Sequence, residues 1–136
     1  MSKQQPYTLG KTERLKSRKL IAQLFSEGQS FSCFPFRVLL KHTDAANEVL
    51  KTGFSVSSRY FKKAVDRNRI KRLMREAWRL QKNLLQDVLK NKQQHIIVFI
   101  IYTGQELPPY QLVYEKTQTF IKRIIKLINE TAVADT

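Results

Sequence analysis

Two histidines, His42 and His95, one cysteine, Cys33, and eleven carboxylates are the side chains from which this chain would have to build any catalysis of its own. A histidine acid–base pair is formally open, but it needs close geometry that nothing in the sequence indicates. The carboxylates are scattered, with no cluster suited to two-metal hydrolysis. No zinc-ligand spacing occurs, and the four glycines are isolated, so there is no glycine-rich phosphate loop. Cys33, beside Phe34, reads as a small strand or core residue. A lone cysteine also permits no intrachain disulfide. The expectation is no catalytic and no metal-binding residue in the protein itself.

The cations are arranged very differently. Twenty-five Lys and Arg face eleven Asp and Glu, a net charge of +14. Such a field repels itself and attracts polyanions; nucleic acid is the leading partner class and an anionic membrane surface the second. Residues 59–82 hold ten of the 25 cations and two of the eleven acids. Within them runs DRNRIKRLMREAWR (66–79). Ile70, Leu73, Met74, Ala77 and Trp78 recur at helical spacing, which predicts a helix with Trp78 in the core. The pattern continues to about Lys90, and Asp66 is expected as the N-cap.

Arg67, Lys71 and Arg75 then form a row beside the apolar stripe, with Arg72, Arg79 and Lys82 widening it and Asn68 at the same flank. Arg69 falls near the opposite edge. Arg59, Lys62 and Lys63 add charge just upstream. A merely solvated helix face usually pairs its charges at i,i+4, and here the acidic partners are missing. Cations in a helix's first turn also meet its positive dipole end. The alternative to a solvated face is a phosphate site, where free N–H groups, Arg67, Asn68 and Lys71 converge on an anion that relieves the repulsion.

The surrounding elements follow from periodicity. SRKLIAQLFSEG (17–28) predicts a helix capped by Ser17 and ended at Gly28. SFSCFPFRVLLK (30–41) is strand-like with a bulge, edge or corner at Pro35. Phe36, Val38 and Leu40 face one way, and Arg37, Leu39 and Lys41 the other. VLKTGFSVSS (49–58) alternates as a second strand. HIIVFIIY (95–102) suits a strand buried on both faces. A last helix is expected from about Tyr110 to Asn129. The 136 residues make one α+β domain, an α/β sandwich, with a basic flexible arm over 1–14 and a tail over 131–136. No apolar signal region opens the chain, and the longest apolar run is too short to span a bilayer. A cytoplasmic protein is expected, with no membrane association and no obligate protein partner.

AVDRNRIKRLMREAWR resembles the arginine-rich signature of the bacterial ribonuclease P protein subunit: Arg-Asn-Arg, then Lys and Arg, after a strand of the SVS type. RLKSRKLIAQLFSEGQSF (14–31), FPFRVLLK and GFSVSSRYFKKAVDRNR (53–69) are similar to the same family in the same order. So are the apolar strand and the closing helix, and the resemblance covers about residues 10–128. It implies the order αβββαβα, a mixed sheet and a left-handed crossover. It implies the protein partner of a catalytic RNA, which together remove the 5′ leader of precursor tRNA in a Mg2+-dependent hydrolysis. The metal ions would be held by RNA and substrate.

By position, the resemblance implies RNA contacts for Arg67, Asn68, Lys71, Arg72 and Arg75, with Arg69 an RNA contact or a tether of the helix start. It implies a leader cleft in which Phe25 matches a family aromatic. Ile21 and Leu39 stand where aromatics are common, leaving apolar contact in place of stacking. Ser55 and Ser57 share the sheet face turned toward the leader. Phe25, Ile21 and Leu39 are equally readable as core. A non-catalytic ribosomal or tRNA-binding module and an independent metal nuclease remain the alternatives of different class.

Overall fold

The computed structural model describes residues 13–43 and 48–134. Their elements run α1 (Arg18–Glu27), β1 (Gln29–Cys33), β2 (Phe36–His42), β3 (Leu50–Val56), α2 (Ala64–Lys92), β4 (Ile96–Tyr102) and α3 (Tyr110–Ala134). This is the expected order. Ser17 accepts a hydrogen bond from the Leu20 N–H and Gly28 ends α1, as read. The stretch expected as one strand over 30–41 is a hairpin: β1 and β2 pair antiparallel on either side of a cis Phe34–Pro35 peptide. Pro35 is therefore a corner. The last helix continues past Asn129 to Ala134, and so takes in part of the expected tail. The arm expected over 1–14 lies outside the described residues up to residue 12; Arg14 is docked, bridging in parallel to Thr52.

The sheet has the order β1-β2-β4-β3, with β4 antiparallel to β2 and parallel to β3. β4 sits centrally because its sequence tolerates burial on both sides. Ile96, Val98, Ile100 and Tyr102 join the large core, and Ile97 the small one. The large core lies under α2 and α3 and includes Phe36, Val38, Leu40, Leu50 and Val56 from the sheet, and Ile70, Met74, Trp78 and Phe120 from the helices. Trp78 is fully buried, as expected, and its ring meets Phe54 edge-on with centroids 6.3 Å apart. On the opposite face, α1 closes a smaller core of Leu15, Leu24, Leu39 and Ile97.

The start of α2 departs from expectation. Lys63, not Asp66, is the N-cap, and no side chain bonds the free N–H groups there. Asp66 lies in the first turn, where a carboxylate still complements the helix dipole. The helix begins earlier because Arg67 organises the approach to it. Its Nη1 donates to the carbonyls of Phe61 and Lys62, at 2.7 and 2.8 Å.

Candidate RNA interface

Two regions of the sequence-predicted site come together around β3. The first is a groove between α2 and the segment that leads into α1. Leu15 N donates to Thr52 O at 2.9 Å, so residues 14–15 lie along the edge of β3. Arg14, Leu15, Lys16, Thr52, Gly53, Phe54, Lys71 and Arg75 line a groove of about 490 Å³. Four of these are cations and none is an acid. Burial, then the nearby charges of Arg14 and Arg72, lowers the Arg75 pKa from its ordinary value. A guanidinium stays charged at neutral pH even so. The groove thus concentrates like charge that an anion would relieve.

The second region is the part of the sheet that α1 leaves uncovered. Gly53 in β3, Phe99 in β4 and Leu39 in β2 are register partners, and Ser55, Ile101 and Arg37 form the next row. Leu39 is buried, 3% exposed, and belongs to the small core beneath α1. Ile21 packs against the same core and is half-buried. Phe25 is 54% exposed and meets Phe99 edge-on, with centroids 5.6 Å apart. Gly53 joins the two regions. It lines the groove, and a Cβ there would come within 2.7 Å of the Phe99 ring. The absence of a side chain at Gly53 lets that ring lie against β3, which sets the Phe99–Phe25 pair next to a residue of the groove.

The remaining residues divide as follows. Asn68, Arg69 and Arg72 are exposed on α2, as are Arg59, Lys62 and Lys63 before it. The tether at the helix start is Arg67, not Arg69, through the two carbonyls given above. Ser55 is half-buried on the open row, whereas Ser57 lies beyond β3 and its hydroxyl accepts from the Arg59 N–H at 3.2 Å. Two cations expected to widen the basic face have other partners. Arg79 donates through Nε and Nη2 to Glu76, at 3.1 and 2.6 Å. This hydrogen bonding raises the Arg79 pKa and lowers that of Glu76. Lys82 is 1% exposed and pairs with Glu13.

Sequence reasoning missed Arg14, the last residue of a stretch read as a loose arm, and Lys16, just before the expected first helix. It also missed Phe99 as a surface aromatic, because a continuous apolar run does not reveal which face stays uncovered. The two histidines bond different groups: His42 Nε2 with Gln94 Oε1, and His95 Nδ1 with Glu48 O, both at 3.2 Å. Among the described residues, no helix is long and apolar enough to cross a membrane.

A family profile described as Ribonuclease P matches residues 9–125. The ribonuclease P protein component of Porphyromonas gingivalis is 37% identical over 131 residues, spanning 93% of each chain. That of Chlorobaculum tepidum is 31% identical over 109 residues, covering 74% of this chain and 71% of its own. Among solved structures, the RNase P protein from Thermotoga maritima superposes with a TM-score of 0.64 at 27% identity, over 82% of this chain and 96% of that one. The Staphylococcus aureus RNase P protein, at 20% identity and a TM-score of 0.63 over 82% and 94% of the two chains, shares the fold. With its arginine-rich helix, its mixed sheet and these relatives, the chain belongs to the ribonuclease P protein family.

Proposed function

We propose that this protein is the RNA-binding subunit of a ribonuclease P holoenzyme, acting with a catalytic RNA to remove the 5′ leader of precursor tRNA. The observation that carries the reading is the acid-free groove at Lys71 and Arg75, one of whose lining residues, Gly53, packs against Phe99, the half-buried ring that exposed Phe25 meets edge-on. The two halves suit the two parts of a single strand. Cations neutralise backbone phosphates and release their counterions. An aromatic edge beside a basic rim accepts unpaired bases by stacking. A leader is such a strand, whereas the paired stem of mature tRNA presents neither splayed bases nor a free backbone. Arg67, Asn68, Arg69 and Arg72, with Arg59, Lys62 and Lys63, extend the basic surface toward the RNA subunit.

The protein's share of the reaction is binding and orientation. Among the described residues, no three His, Cys, Asp or Glu side chains gather closely enough to hold a metal ion. In this proposal magnesium belongs to RNA and substrate, and the catalytic centre to the RNA.

Reconstitution tests the reading. The protein with a cognate ribonuclease P RNA, precursor tRNA and magnesium should release the leader more efficiently than the RNA alone, while RNA-free protein should release none. Cleavage by RNA-free protein would make it a nuclease in its own right. No gain over the RNA alone would leave an RNA-binding module without a role in leader removal.

A further inference from the structure

The acid that matters most to the cationic groove lies just outside it. Along α2 the groove residues Lys71 and Arg75 are followed, on the same side of the helix, by Trp78 and Lys82. Lys82 is 1% exposed, and its Nζ donates to Glu13 Oε1 at 2.5 Å. The Gln86 amide is directed at the same oxygen, at 3.4 Å. A buried ammonium without a partner is strongly unfavourable, so this contact holds Glu13 firmly. The neighbouring residues are fastened in two more ways. Leu15 N bonds Thr52 O, and the Leu15 side chain, 6% exposed, enters the small core beneath α1. Arg14 lies between these anchors and Lys16 directly after them, and both line the groove opposite Lys71 and Arg75.

We propose that Glu13 is a positioning residue for RNA binding: its ion pair with buried Lys82 pins residues 13–16 along β3, so that Arg14 and Lys16 complete the cationic groove. The proposal rests on the reading of that groove as a phosphate site. Its consequence runs against simple electrostatics. In a protein of net charge +14, removing an acid should tighten binding to a polyanion. Removing this one should weaken it, because two groove cations lose their placement.

The test measures affinity for the cognate ribonuclease P RNA across a range of salt concentrations. Three proteins are compared: wild type, Glu13→Ala, and the double variant Glu13→Ala/Lys82→Met. The double variant preserves net charge and replaces a buried ion pair by apolar volume, which keeps the core intact. Its unfolding midpoint is checked first, so that the comparison stands even where Glu13→Ala alone folds poorly. For the double variant, binding should weaken several-fold and the slope of log K against log salt should flatten by about 1.5 to 2, the loss of two phosphate contacts. A folded Glu13→Ala should also bind more weakly than wild type. In an Arg14→Ala/Lys16→Ala background, adding Glu13→Ala/Lys82→Met should change neither quantity. Wild-type slope and affinity in the folded double variant would overturn the positioning role while leaving the groove itself in place. A salt-independent wild type would instead overturn the groove as a phosphate site.

Discussion

The two faces of the sheet are closed to different degrees, and the difference separates folding from binding. Under α2 and α3 the cover is continuous: Trp78, Ile70, Leu85, Leu89, Ile124 and Ile128 are all 0% exposed. On the other face α1 is ten residues long and covers only part of the strands. Leu39 and Ile97 go under it, while Phe99 and Ile101 remain half-buried and Phe25 stands 54% exposed at the rim. A domain with one fully closed core can leave apolar surface open elsewhere at little cost to stability. In this protein the open surface lies beside the cation-lined groove, which gives it a charged border.

Substitutions on the closed face should act through stability. Trp78→Ala should have the largest effect, about 3–5 kcal/mol, because the ring is fully enclosed and leaves a cavity. Urea unfolding followed by circular dichroism measures it, and RNA affinity of the fraction that remains folded should be unchanged. Arg67 ties the approach to α2 to the first turn of that helix. Arg67→Ala removes two charge-assisted hydrogen bonds to the Phe61 and Lys62 carbonyls, and should cost about 1.5–3 kcal/mol in the same assay. A variant that loses RNA affinity at unchanged stability would show that the tether is dispensable and the charge is not. The smallest change is expected from Asp66→Ala. Asp66 is a first-turn residue and not the cap, so only its interaction with the helix dipole is lost, about 0.3–1 kcal/mol. A shift in midpoint that disappears in high salt would confirm the electrostatic origin.

Much of the scaffold was legible because it rests on local chemistry. Ser17 and Gly28 bound α1 as read, the apolar spacing of α2 put Trp78 inside, and the run at 96–102 marked the central strand. The errors arose where distant groups decide. Asp66 is a better cap residue than Lys63 by type, yet the helix starts at Ala64, after a loop whose carbonyls accept from Arg67. Lys82 has the spacing of a surface cation and is buried, because Glu13, far away in the chain, reaches it. Arg14 read as an arm residue because Thr52, to which it bridges, is also far away in the chain. The basic row itself was visible, since Lys71 and Arg75 need only helical geometry to line up. Which aromatic stays uncovered was not, because that depends on the length of α1 and where it docks.

The most direct measurement is the affinity of the reconstituted holoenzyme for precursor tRNA with a leader of several nucleotides and for mature tRNA, with wild-type protein and with Phe25→Ala. Phe25 is half exposed, so its loss should shift the unfolding midpoint only slightly. Wild type should favour the leader-bearing substrate. Phe25→Ala should erode that preference by about 1–3 kcal/mol, the worth of one stacked base, and leave mature tRNA binding unchanged. An equal preference in the two proteins, or an equal loss on both substrates, would contradict the assignment of the open sheet face to the leader.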